Sequence, residues 1–274
     1  MHSATSRSAG LHIDVTGDGP PLVLLHGWGM HGGVFAPLVA QLRSHFRLHV
    51  VDLPGHGYSS GSDAPLRLDG CAYAIARVVP ADGIWCGWSL GGLIALQAAL
   101  THPQRVGGLV LICASPRFAR GDDWRYGMSP EILRDFADGL RTEHRATLNR
   151  FIALEAFGSA DARADIRTLC ARLFERGEPC AQALAAGLDV LERSDLRSDL
   201  PRLKVPSLWL AGRRDRLVDP RAMREAAALA PDAAFEVIGQ AGHAPFLSDP
   251  QAVAASHVAF AHRLQVGTDP GERP

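Results

Sequence analysis

Short apolar runs alternate with longer stretches of helical character along most of the chain. Leu22–Leu25 (LVLL) predicts a buried strand that runs into the glycine-rich stretch His26–Gly29. Arg47–Val51 predicts a second strand and ends in Asp-Leu-Pro-Gly, a turn signal. Gly83–Cys86, Val106–Cys113, Ser207–Ala211 and Ala234–Ile238 predict four more. Ser89–Thr101, rich in Leu and Ala, predicts a helix. Pro250–Leu264 predicts a closing helix, followed by a loose tail over Gln265–Pro274. Buried strands separated by helices imply a mostly parallel sheet covered on both faces.

The rhythm changes between about Pro116 and Ser194, where no strand pattern occurs. Pro130–Phe157 and Ala160–Leu191 predict a series of helices with many Arg, Asp and Glu. Strands resume at Ser207, so this stretch is expected to be a helical cap inserted into the sheet rather than a separate all-α domain. The expected division is a core of residues 1–115 and 195–274 and a cap of residues 116–194.

Bulk properties narrow the class. A chain of 274 residues can form one domain, or one domain with an insert. Hydrophobic residues at 47% and charged residues at 21% fit an ordinary globular protein, and a net charge of −1 argues against a nucleic-acid footprint over the whole surface. Cys71, Cys86, Cys113, Cys170 and Cys180 are scattered, with no C-x-x-C pair, and read as reduced thiols. Met1–Gly10 is polar and lacks the apolar core of a secretory signal, and no run approaches the ~18 apolar residues of a membrane span. The expectation is a cytoplasmic protein with neither a nucleic-acid nor a membrane partner.

Gly87-Trp88-Ser89-Leu90-Gly91 matches G-x-S-x-G, and Gly92 extends it. The pattern is short enough to arise by chance as a plain turn, but here a predicted strand precedes it and a predicted helix follows, the context a nucleophile elbow requires. A serine hydroxyl needs a base to take its proton, and in this topology acid and then His follow the Ser. His243 stands in Gly-Gln-Ala-Gly-His-Ala-Pro, just after a predicted strand. Asp215 stands just past the strand at Ser207–Ala211. Asp219, before Pro220, reads better as a helix N-cap; Asp195 and Asp199 lie further off. Backbone donors for a developing oxyanion are expected from Leu90, after the nucleophile, and from Trp28 in His26-Gly27-Trp28-Gly29, whose indole is expected at the pocket mouth. His26 and the Asp52–Gly57 stretch read as scaffold.

Four blocks, HGWG, DLPGHGYS, GWSLGG and GRRDRLVDP…GHAPF, resemble the α/β-hydrolase superfamily over nearly the whole chain. The stretches LLHGWGMHGGVF, SHFRLHVVDLPGHGYS, IWCGWSLGGLIALQAALTHPQRV, RFIALEAFG and GHAPFLSDP resemble the pimeloyl-[acyl-carrier protein] methyl ester esterase family of biotin synthesis. That resemblance implies an α/β-hydrolase fold with a helical cap. It also implies hydrolysis of a pimeloyl methyl ester carried on acyl carrier protein, with no metal or organic cofactor. By position it assigns the triad to Ser89, Asp215 and His243, the oxyanion donors to Trp28 and Leu90, and an acyl-channel aromatic to Phe151. It places carrier-docking arginines at Arg150, Arg163 and Arg167; a further family arginine falls on Ala146, with Arg145 beside it.

The residues alone leave the docking question open. Arg163 and Arg167, like Arg141 and Arg145, are four apart and would share a helix face. Glu143, Glu155, Asp161 and Asp165 are interleaved, however, which reads as a solvated mixed-charge surface. Three rivals also stand. The first is a general short-chain carboxylesterase with the same triad. The second is an acyltransferase or carbon–carbon bond hydrolase on the same fold, and the third a ligand receptor that kept the pocket. Dehalogenases and epoxide hydrolases use Asp where Ser89 stands.

Overall fold

The computed structural model describes residues 4–8, 10–156 and 161–268. Among them are eight strands: β1 (Ala4–Ser8), β2 (Leu11–Thr16), β3 (Pro21–Leu25), β4 (Arg47–Val51), β5 (Gly83–Trp88), β6 (Val106–Ile112), β7 (Ser207–Gly212) and β8 (Ala233–Ile238). They form one sheet in the order β1-β2-β4-β3-β5-β6-β7-β8. The first three in that order pair antiparallel and the rest are parallel. The chain thus starts on an antiparallel edge and winds β3, β5, β6, β7 and β8 outward toward the other edge.

The helices are α1 (Ala36–Leu42), α2 (Leu68–Ala76), α3 (Leu90–Thr101), α4 (Pro130–Thr142), α5 (His144–Ala156), α6 (Ala162–Leu173), α7 (Ala181–Arg193), α8 (Pro220–Ala227), α9 (Pro245–Ser248) and α10 (Pro250–Thr268). β5 and β7 are buried along their whole length, as strands covered on both faces must be. That is why they read as continuous apolar runs rather than alternations. α3 is apolar all round and buried from Leu90 through Leu96 and again at Ala98 and Ala99. Trp85, Trp88, Trp209, Phe35 and Phe246 are among the largest side chains fully withdrawn from solvent.

All six predicted strands occur, within two residues of their expected ends. β5 runs on to Trp88, and β6 stops at Ile112, because Cys113 turns out of the strand at φ 45°. β1 and β2 were not expected. The closing helix continues to Thr268, so the start of the expected tail is helical; residues 269–274 of that tail lie outside the described residues. Between β6 and β7 the chain forms α4, α5, α6 and α7. Residues 157–160, at the junction of the two predicted helical stretches, lie outside the described residues. Arg141 and Arg145 do not share a helix, because Glu143 ends α4 with φ −141° and ψ 58°.

Ion pairs close the neck of this insertion. Arg117, just after β6, reaches Asp123 and Asp195, and Arg197, just after α7, reaches the same two carboxylates. At its far end, Arg176 bridges Asp14 on β2 and Asp52 after β4. Asp52, fully buried, also accepts from the Gly32 and Tyr58 amides. No helix among the described residues is long and apolar enough to cross a membrane.

Candidate active site

β5 turns into α3 at Ser89, which sits at φ 54° and ψ −118°. A non-glycine residue there stores about 1–3 kcal/mol of strain and persists only where its surroundings enforce it. Here the Ser89 amide donates to the Ile112 carbonyl at 3.1 Å, and the Ser89 carbonyl accepts from the Gly92 and Leu93 amides. The glycines are steric necessities. A Cβ on Gly87 would lie 2.2 Å from the Gly91 carbonyl oxygen, and one on Gly91 2.2 Å from that of Leu25. Leu90 opens α3, so its amide belongs to the first turn, whose N–H groups lack intrahelical partners and carry the positive end of the helix dipole.

The acid and the base meet. His243 Nδ1 lies 2.8 Å from Asp215 Oδ2, and both side chains are buried. The other Asp215 oxygen accepts from the Leu217 and Val218 amides, which leaves Oδ2 to the imidazole. Carboxylate contact at Nδ1 fixes the tautomer with the proton on that nitrogen and leaves Nε2 as the basic atom. Nε2 is buried and has no hydrogen-bond partner among the described residues. The His243 loop is tied to the elbow through Trp88, whose indole donates to the His243 carbonyl at 2.7 Å and lies 5.7 Å from its ring.

Cys113, Asp215 and His243 bring one ligand-type atom each within 4.8 Å of one another. Burial, then the Asp215 charge, pushes the Cys113 thiol well above its ordinary value, and the sulfur contacts the Gly242 carbonyl and Gly212 amide. A protonated, backbone-bound thiol is a poor metal ligand and a poor nucleophile, so it reads as packing behind the His–Asp pair. Asp219 N-caps α8, and Asp195 is held in the neck network.

The loop after β3 faces the elbow: a Cβ on Gly27 would meet the Trp88 ring at 3.0 Å. His26 braces it, with Nδ1 at 2.8 Å from the Gly27 carbonyl while Nε2 accepts from Leu53 N–H. Burial holds its pKa well below the ordinary value, so it stays a neutral brace. The Trp28 indole is not at a pocket mouth, as expected from sequence. It is 1% exposed, donates to the Leu184 carbonyl of α7 at 2.9 Å and stands edge-on to Phe151 of α5 at 4.7 Å. Phe151, itself buried, packs on to Phe136 of α4. The inserted helices therefore lie directly on the loop after β3, and Ser89 and His243 are buried beneath them and their surroundings.

Glu155 is a second correction. Instead of sharing a solvated helix face, it is fully buried, and neither carboxylate oxygen has a hydrogen-bond partner among the described residues. Burial, then the Asp215 charge, pushes its pKa well above the usual carboxyl range. Its own carbonyl accepts from the His243 amide at 3.3 Å. Asp165 is also buried. With both acids withdrawn, Arg163 and Arg167 project from α6 exposed, with no ion-pair partner among the described residues. Arg145, also exposed, is engaged by Glu178 and lies over Phe174 at 5.0 Å. Arg150 donates to Thr147 and lines a groove of about 840 Å³ formed by α4, α5 and the Glu143 link between them, where Asp135, Asp138 and Glu143 share the lining.

A nucleophile elbow with a His–Asp pair at the ends of parallel strands defines a class, and the comparisons agree: the α/β hydrolase fold family matches residues 20–250, and the chain belongs to it. It is 55% identical over 246 residues to the pimeloyl-[acyl-carrier protein] methyl ester esterase of Stenotrophomonas maltophilia (strain K279a), covering 90% of this chain and 94% of that one. The protein of the same description from Xanthomonas campestris pv. campestris (strain B100) is 54% identical over 244 residues, covering 89% and 96%. Among solved structures, an esterase from Exiguobacterium antarcticum superposes with a TM-score of 0.81 at 21% identity, covering 95% of this chain and all of that one, which speaks to the fold.

Proposed function

We propose that this protein is a serine carboxylesterase that hydrolyses the methyl ester of a pimeloyl chain carried on acyl carrier protein, yielding the free carboxylate and methanol. The observation that carries the substrate is the 54–55% identity, over about nine-tenths of the chain, to proteins of that description. The chemistry follows from the site. His243 Nε2 takes the Ser89 proton as Ser89 Oγ attacks the ester carbonyl. The Leu90 and Trp28 amides hold the oxyanion; each donor of this kind contributes ~10²–10³ in turnover. Asp215 stabilises the imidazolium, His243 protonates the departing methanol, and water releases the acyl group by the same route. Every step uses side chains and backbone of this chain.

Residues 116–194 act in this reading as the cap, with Phe151 against the acyl chain and Arg145, Arg150, Arg163 and Arg167 facing the carrier. The enzyme acts as a cytoplasmic monomer, and its product feeds biotin assembly. The test is growth of a biotin-requiring, esterase-deficient bacterium carrying this chain or its Ser89→Ala variant, with methanol release measured on the purified proteins. Rescue and methanol release by the wild type alone are expected. Full activity of Ser89→Ala would refute the mechanism, and methanol release from free short esters but not from the carrier ester would favour a general carboxylesterase.

A further inference from the structure

The surface around the acid loop is dominated by arginine. Arg213, Arg214 and Arg216 are exposed on the connection from β7 to α8. With Arg221 they line a cavity of about 320 Å³, and Arg216 and Arg221 also line an adjoining one of about 280 Å³ together with Arg120 and Arg125 from the β6–α4 connection. The acids lining both cavities are Asp215, buried against His243, and Asp219, which caps α8 and is paired with Arg221. Six guanidinium groups thus face one outward-facing carboxylate that is already engaged. The chain as a whole carries −1, so this is a segregated field rather than an average surface.

Two further features mark the patch. Arg125 and Arg221 both lie over the Tyr126 ring at 4.7 Å, which holds both guanidinium groups at this surface. Arg221 is paired with Asp219, whereas Arg125 has no carboxylate partner among the described residues. Ile132 of α4, 39% exposed, lines both the 280 Å³ cavity and the groove that holds Arg150. Beyond Ile132 the sign changes, because that groove carries Asp135, Asp138 and Glu143 beside Arg150, so the arginine-rich face ends at this exposed aliphatic side chain. A small neutral ester could use neither the breadth nor the charge of this surface.

We propose that this arginine-rich face, centred on Arg213, Arg214, Arg216, Arg120 and Arg125, is a second docking surface for an acidic protein, namely the carrier that presents the ester. The inference rests on the carrier reading above and adds a contact area distinct from the α5 and α6 arginines. Carboxylates on a carrier helix meet the guanidinium groups while an apolar residue of that helix covers Ile132. Charge of this kind acts mainly on encounter rate and is screened by salt.

The test uses the full chain in two variants. Arg213→Gln/Arg214→Gln/Arg216→Gln removes the acid-loop charges, and Arg120→Gln/Arg125→Gln leaves that loop untouched. kcat and KM are measured on the methyl pimeloyl carrier and on p-nitrophenyl butyrate, at low and high salt. In both variants KM for the carrier ester should rise roughly tenfold at low salt with kcat held, the gap closing at high salt, while p-nitrophenyl butyrate turnover stays within about twofold. Equal losses on both substrates, or an unchanged KM for the carrier ester in either variant, would overturn the proposal. An unchanged carrier KM with loss of binding to a duplex DNA oligonucleotide would overturn it in favour of nucleic acid. A wild type active on p-nitrophenyl butyrate but inert toward the carrier ester would instead refute the carrier reading itself.

Discussion

Glu155→Gln isolates the cost of a buried carboxyl beside the His243–Asp215 pair. The Glu155 side chain is fully buried with both oxygens unpartnered among the described residues, and burial and the Asp215 charge raise its pKa well above the ordinary 4.5. Folded protein therefore keeps this group protonated over a pH range in which the unfolded chain has ionised it. The unfolded state then binds fewer protons, so stability falls as pH rises from the unfolded value toward the folded one. The slope is about 1.4 kcal/mol per pH unit, and the loss stops growing above the folded value. Gln keeps the size and a neutral polar head but does not titrate. The variant should match wild type near the ordinary carboxyl pKa and gain stability over it by about 1.4 kcal/mol for each further unit. Urea unfolding at about pH 5, 6, 7 and 8 measures the difference. Parallel curves for the two proteins would mean that Glu155 is ionised in the fold, and the reasoning would fail. Turnover of a free ester should change little, because the contact to the His243 amide comes from the residue's carbonyl rather than its side chain.

Two other changes probe the same architecture. Trp28→Phe keeps an aromatic side chain but removes the indole donor to the Leu184 carbonyl and part of the buried volume; thermal unfolding should show a loss of about 1–3 kcal/mol, with a higher KM for the carrier ester as α7 loosens over Trp28. His257 is fully buried, with Nδ1 at the Val253 carbonyl and Nε2 at the Cys86 sulfur, and burial lowers its pKa from 6.5 to about 4. Its contribution is present above pH 6.5 and is lost as pH falls toward about 4, roughly 3 kcal/mol in all; His257→Gln should flatten that acid limb in unfolding measured against pH, and an unchanged limb would place the loss elsewhere.

What the chain discloses before folding depends on how local each constraint is. The elbow is legible because Gly87, Gly91 and Gly92 are demanded by contacts within a few residues and one neighbouring strand. The acid and base are legible because each follows a strand-like run, buried throughout in β7 and mostly half-buried in β8. Glu155 carries a signal that its charge disguises: Leu148, Phe151, Ile152 and Glu155 fall at the spacing of one helix face, and all four are buried. Asp165 and Leu169 repeat the pattern on α6. β2 is likewise visible as Leu-His-Ile-Asp-Val-Thr, a strict apolar–polar alternation. The Trp28–Leu184 and Arg145–Glu178 contacts leave no such trace. Their partners are 156 and 33 positions apart and are set only by how the inserted helices come to rest.

The way those helices rest has a consequence for catalysis. α5 touches His243, the proposed base, through its backbone, Glu155 carbonyl to His243 amide, and touches the proposed oxyanion loop through Phe151 on Trp28. α7 grips the same tryptophan through the Leu184 carbonyl. The cap is anchored at both ends by ion pairs, Arg117 and Arg197 at the neck and Arg176 on Asp14 and Asp52 at the far side. Ser89 and His243 are 2% and 1% exposed, so a substrate reaches them only where the packing around them opens. Parting α5 from the loop after β3 would break the contacts it makes to both the His243 loop and Trp28. In the proposed reaction a longer acyl chain would offset such losses better than a short one, at about 0.8 kcal/mol per methylene buried. On that reading α5 contributes to discrimination for a longer chain before any contact to the carrier is made, and a kcat/KM that does not rise with acyl length among free methyl esters would refute it.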